Sequence, residues 1–279
     1  MNIIKGLFGR RRAASPPPPP IRDVAALVSP LARPAVQLQK SPGTSGSYLG
    51  GVPPLSPAMT WPTKDGAPLT FLACLDLQSL STALPLAWLP TSGRLLFFYD
   101  VDKQPWGFDP KDRGGWAVMF AADDANPPDR SSAPRSLPRH DVSFHSINTY
   151  PSWERAEITA LSLNDAESDR LSDLSASVYG DAPCHQVGGF PNVIQNDDME
   201  HECELVSHGI YCGDASHSNE PEVERLRDGA GDWRLLLQVD SDDDLDVMWG
   251  DAGVVYFWIR EQDARAGRFE NAWVVLQCF

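Results

Sequence analysis

Four landmarks recur in the same order in the two halves of this 279-residue chain, and they limit its fold more than any other feature. Gly50-Gly51-Val52-Pro53 is matched by Gly188-Gly189-Phe190-Pro191, and FLACLD (71–76) by LLLQVD (235–240). RLLFFY after Gly93 is matched by VVYFWI after Gly253, and WAVMF from Trp116 by WVVLQ from Trp273. The apolar runs are short, rich in branched and aromatic residues, and bounded by Gly, Pro or Asp, which predicts strands. Each GGxP follows a segment that reads as helix. Gly51 to Asp76 spans 25 residues and Gly189 to Asp240 spans 51, so the second copy carries an insertion of 26. A unit of this kind does not close its own core, and two copies are expected to share one. The expected architecture is therefore α+β and β-rich: internally duplicated GGxP–β–β–β units (about 21–123 and 164–279) around one core, with a few short helices.

Between the landmarks, IRDVAALVS (21–29) reads as a short helix stopped by Pro30, and AVQLQ (35–39) alternates like a strand. LTFLACLDL (69–77) and RLLFFYDV (94–101) are predicted strands, 124–139 a Pro- and Arg-rich loop, and 142–163 two short strands. Residues 164–180 predict a helix with Asn164 as N-cap, Glu167 completing a capping box and Gly180 at the end. Residues 1–20 read as a disordered tail: Lys5 and Arg10 to Arg12 without any acid, then five prolines that favour extended polyproline II. The single domain is expected over 21–279. The tail lacks the apolar core of a secretory signal, and weak, reversible contact with an anionic membrane surface is the most it offers.

Charge placement restricts the partners. From residue 195 to 251 there are seventeen Asp and Glu against three Arg, a net of −14 in a chain whose total is −15. Nucleic acid binding needs a basic face, so nucleic acid is not an expected partner, whereas a basic protein is. The same segment also reads as a solvated surface. Five cysteines without a CxxC pair argue against a disulfide framework and for a reducing, cytoplasmic setting. No apolar run reaches the roughly 18 residues that a membrane helix needs.

HQVGGFPNVIQNDDM (185–199), WRLLLQVDSD (233–242), MWGDAGVVYFWI (248–259) and WVVLQ (273–277) together resemble the YwqG-like family of uncharacterised bacterial proteins. GGVPPLSPAMTWPTKDGAPLTFLACLDL (50–77) is similar to the same pattern, with Cys74 standing where a glutamine equivalent to Gln238 is expected. The resemblance covers about 35–279. It implies an α+β fold with a duplicated β-rich unit and no established activity. Some members look like components of toxin-immunity gene clusters, which suits an acidic, immunity-type binding surface.

Chemistry-bearing patterns are sparse. Asp240, Asp242, Asp244 and Asp246 alternate, with Asp251 beyond, at the spacing of a calcium loop, but Leu245 stands where that loop's turn needs Gly. Cys184, His185, His201, Cys203, His208, Cys212 and His217 fall within 34 residues without the paired spacing of a zinc site. No nucleophile elbow, phosphate loop or zincin motif is present. The expectation is no cofactor and no metal. The remaining candidate site is a polar pocket at the seam of the two units, with His185, Gln186, Gln195, Gln238, Asp240, Asp242 and Asp251 as binding residues. The same glutamines suit a second role, holding buried backbone groups at that seam. A binding protein is the leading expectation, and a hydrolase or small-ligand enzyme using the seam pocket is the alternative.

Overall fold

The computed structural model describes residues 21–41, 45–122, 135–214, 216 and 221–279. The tail at 1–20, most of the loop expected at 124–139, and His217 lie outside the described residues. The strands are β1 (Arg33–Lys40), β2 (Tyr48–Leu49), β3 (Thr63–Lys64), β4 (Ala67–Pro68), β5 (Thr70–Asp76), β6 (Arg94–Tyr99), β7 (Trp116–Ala121), β8 (His140–Thr149), β9 (Gln186–Gly188), β10 (Trp233–Asp240), β11 (Val254–Arg260) and β12 (Trp273–Gln277). The helices are α1 (Val24–Val28), α2 (Leu77–Ala83), α3 (Ala156–Thr159), α4 (Asp165–Ser177), α5 (Met199–Ser207), α6 (Pro221–Leu226) and α7 (Glu261–Arg265).

Ten strands form one antiparallel sheet in the order β12-β11-β10-β9-β1-β8-β2-β5-β6-β7, and β3 and β4 make a separate hairpin. At its centre β1 pairs with β8 from Arg33 opposite Thr149 to Lys40 opposite Val142. The outer edge of β1 takes β9, and that of β8 takes β2. Read outward from this joint, β2-β5-β6-β7 lies on one side and β9-β10-β11-β12 on the other, so matched landmarks stand at matched distances from the centre. The ladder shifts register between Phe71 and Ala73 in β5 and between Leu235 and Leu237 in β10, at corresponding positions of FLACLD and LLLQVD. Gly50, Gly51, Gly188 and Gly189 all have φ between 64° and 72°, a left-handed conformation that side chains disfavour.

The edge strands β7 and β12 approach without pairing and nearly close the sheet into a barrel. The Trp116 indole N–H donates to Ala272 O (2.9 Å), that of Trp273 donates to Gly107 O (2.8 Å), and Leu276 N–H donates to Trp106 O (3.0 Å). Inside, Phe97 meets Phe257 edge-on at 5.2 Å, joining the two halves of the sheet in one core. Strand β6 explains its continuous apolar run: Leu95, Phe97 and Tyr99 face this core, while Leu96 and Phe98 face a second cluster with Leu55, Leu69 and Phe71. Both faces are covered, so the usual apolar–polar alternation of a half-exposed strand is lost.

The structure corrects several boundaries. Residues 142–163 hold one long strand and a short helix instead of two strands, because β8 runs unbroken from His140 to Thr149, up to the Tyr150-Pro151 corner. Leu77 begins a helix instead of ending a strand, since the Asp76 carboxylate caps it by accepting from Ser79 N–H (2.8 Å). The helix expected at 164–180 ends at Ser177, and its capping box is present: Asn164 accepts from Glu167 N–H, and the Glu167 carboxylate accepts from Asn164 N–H. The 26-residue insertion, given no structure above, supplies α5 and α6.

Candidate functional site

The seven residues singled out from sequence do not converge on one pocket. His185 is 1% exposed, and both of its ring nitrogens are committed. Nδ1 accepts from Asp240 N–H (3.1 Å), so the proton sits on Nε2, which donates to Asp242 Oδ2 (3.1 Å). Lys40 Nζ donates to both Asp242 oxygens (2.8 and 2.9 Å) and to Asp244 Oδ2 (2.5 Å). Burial favours the neutral Asp242 carboxyl, but hydrogen bonds from His185 and Lys40 and the charge of Lys40 outweigh it and hold the pKa well below the usual range. The arrangement is a strut tying β1, β9 and the turn after β10. Ser47, three residues before the first Gly pair as His185 is before the second, plays the same part by accepting from Asp76 N–H (2.8 Å).

Glutamines fasten the turn that follows β9. Gln186, fully buried, donates to Gly188 O and Phe190 O and accepts from the Tyr179 hydroxyl. Gln238 accepts from Asn192 N–H (2.9 Å) and donates to Cys184 O, and Gln277 accepts from Ile194 and Gln195 N–H (3.0 and 3.2 Å) and donates to Asn196 O. Gln195 contributes its backbone and is exposed, Asp240 accepts from Cys184 N–H (2.9 Å), and Asp251 is exposed near the C-terminus. The Cys184 thiol is pushed up to about 12 by burial and by Asp240.

The large cleft lies next to this turn, in a place sequence reasoning missed. It encloses about 550 Å³ beside the β1–β9 boundary, with Gly188 and Gly189 on its rim. Leu86 and Trp88 from the segment after α2 form one apolar wall, and Trp233 and Trp258 form another. The insertion closes it with 197–201 and 230–231. A Cβ on Gly50 would run into the Pro138 carbonyl and one on Gly189 into Thr149 and Ala35, whereas one on Gly188 meets chiefly the flexible end of Leu86. Within the second pair it is Gly188 that has room on the cleft side.

Charges in the cleft are mostly matched. Arg155 grips Asp197 and Glu200, Arg234 pairs with Glu261 (2.6 Å), and Asp198 lies 3.5 Å from Arg227. Burial works against the Arg155 charge, but the two carboxylates prevail and raise its pKa, while burial raises that of Glu200. Arg155 and Arg33 both lie over the Phe190 ring, at 4.9 and 4.0 Å. Arg33 makes no ion pair or side-chain hydrogen bond among the described residues. The Trp233 indole N–H is taken by Glu204 (2.8 Å), but that of Trp258, buried at 1% exposure, has no partner. His201 is committed to Asp198 and to Val223 O (3.3 and 3.1 Å), and no Ser, Thr, Cys or Lys lines the cleft.

Much of the acidic segment is engaged internally. Asp197, Glu200, Glu204, Asp242 and Asp244 all hold basic side chains, and the exposed remainder includes Asp243, Asp246 and Asp251. Among the described residues, no group of three His, Cys, Asp or Glu is placed to hold a metal ion. No described helix is long and apolar enough to cross a membrane.

Fold and site define a class: a single antiparallel sheet, nearly closed, with a ligand-sized cleft at its side. The chain belongs to the family described as Domain of unknown function (DUF1963), whose model matches residues 47–278. Strand β1, with Arg33, lies outside the matched residues. No curated protein matches the chain.

Proposed function

We propose that this chain is a small-molecule-binding protein whose ligand occupies the cleft between the Gly188-Gly189 turn and the inserted 197–231 segment. The observation that carries this reading is the cleft itself, about 550 Å³ with three tryptophans in its walls, a size and lining suited to a small organic molecule. The carboxylates and imidazole that line the cleft are engaged, Asp197 and Glu200 by Arg155 and His201 by Asp198 and Val223 O, which favours binding over catalysis. Within its family we read the chain as YwqG-like, a reading supported by the GGFPNVIQ and MWGDAGVVYFWI motifs. The two halves are read as copies of one unit, a reading supported by the mirrored strand order, the matched register shifts and the paired left-handed glycines. The five unpaired cysteines support a cytoplasmic setting.

Gly231 lines the cleft, is not left-handed, and would place a Cβ in open space. Gly231→Phe should therefore fill the cleft and keep the melting temperature. In a fragment screen read by ligand-observed NMR, hits should bind the wild type and be lost in this variant. Equal binding to both forms, or no hits, overturns the reading.

The exposed Asp243, Asp244, Asp246 and Asp251, beside half-exposed Met248, support a second reading in which a basic protein docks on this loop. Asp243→Asn with Asp246→Asn leaves the Asp242 strut intact. Under this reading the double variant associates more slowly with that partner and shows weaker salt dependence.

A further inference from the structure

Among the described residues, the cleft has one cation without a carboxylate partner, Arg33. Arg33 presents a face to Phe190, at 4.0 Å, and keeps the edge of its guanidinium free of any described carboxylate. Arg33 lines the cleft and is itself exposed, with the like charge of Arg155 nearby. Glu200 and Glu157 favour its charge from a distance, but neither pairs with it: Asp197 and Glu200 hold Arg155, and Asp198 is shared by Arg227 and His201. The Trp258 indole N–H has no acceptor among the described residues, but its nitrogen is buried and does not open on the cleft, so Trp258 offers a ligand its ring. The remaining walls offer flat apolar surface, since the Trp233 N–H already goes to Glu204.

Resting on the cleft as the ligand site, we propose that its ligand is an organic monoanion, a carboxylate on a flat apolar body, with Arg33 as the anion-binding residue. A single negative charge fits better than two. One unpaired guanidinium offsets one charge, and the net charge of −15 on the chain works against a dianion such as a phosphate monoester. Arg155 acts as a positioning residue, fixing the 197–200 wall and the Phe190 ring on which Arg33 lies.

The test uses the full chain and three probes of one shape: phenylacetate, phenylacetamide and phenyl phosphate. Binding is followed by calorimetry and by the indole N–H resonance of Trp258. Phenylacetate should bind at millimolar concentration or better, shift that resonance, and bind more tightly than either other probe. Arg33→Met should weaken phenylacetate by about tenfold or more without lowering the melting temperature, and Arg33→Lys should restore part of the loss. Should phenylacetamide bind as well as phenylacetate, or Arg33→Met bind as well as the wild type, the anion assignment is overturned while the cleft remains a ligand site. Tighter binding of phenyl phosphate overturns the preference for a single charge. If none of the probes binds, the anion proposal fails. If in addition the fragment screen gives no hit sensitive to Gly231→Phe, the cleft reading fails with it.

Discussion

His185 carries the contrast between a residue's visibility in a sequence and its use in a fold. Beside a Gly pair and within reach of several aspartates, it reads as a site residue, yet its two nitrogens are filled by Asp240 N–H and the Asp242 carboxylate. Gln186 and Gln238 were legible as backbone holders, but Gln195, named with them, is exposed, and Gln277, which holds the turn, was not foreseen. Arg33 and Trp258 were not legible: an arginine opening a strand and a tryptophan inside an apolar run are ordinary until the structure shows which have no partner. The Asp242 strut gives the first prediction. Its pKa is depressed in the folded state, so its stabilisation is complete above the unfolded value of about 3.9 and is lost as pH falls from there toward the folded value. Asp242→Asn should cost about 3 kcal/mol at neutral pH, since Lys40 loses its buried counter-charge, and the variant should show a flatter loss of stability on acidification. Urea melts at neutral and acid pH check both statements. A variant as stable as the wild type would make the cluster ornamental.

At the scale of elements, the apolar runs announced β5, β6, β7, β10, β11 and β12, and the capping box announced α4. The sequence was silent on β9, whose three residues are held mainly by side chains and by strands from far along the chain. It was silent on α5 too, a nine-residue helix whose acids Glu200 and Glu204 face arginines and whose Cys203 and Val206 face the core. Such a helix looks polar in sequence because its charges are satisfied inward. The segment after β9 lacks ladder partners for several amides and depends on side chains. Gln277→Ala should therefore free Ile194 and Gln195 N–H and cost about 1–3 kcal/mol, the expense of unpaired buried donors. Hydrogen exchange should speed up at these two amides while those of β6 stay protected. Unchanged exchange at 194 and 195 would mean that the turn is held by packing alone.

For the whole molecule, the repeated landmarks predicted one shared core, and one cluster does run through both halves of the sheet. What they did not convey is how the halves are joined. The central joint sets each half's leading strand against the other half: β1 lies between β8 and β9, and β8 between β1 and β2. A chain ending after residue 163 keeps β1 and β8 but lacks β9, and with it the partner for the outer edge of β1. Because unpaired strand edges invite other chains, that fragment should aggregate on expression, and adding residues 164–279 as a separate chain should rescue its solubility. A monomeric, soluble fragment would contradict this. The same joint has a consequence for the order of events on the ribosome. Residues 33–40 emerge long before 186–188 are made, so the middle of the sheet is completed late, and the first half must wait with an open seam while the remainder is translated. Pauses in synthesis placed before codon 186 should prolong that exposed state and those placed after β12 should not, making the timing of translation a determinant of yield for this chain.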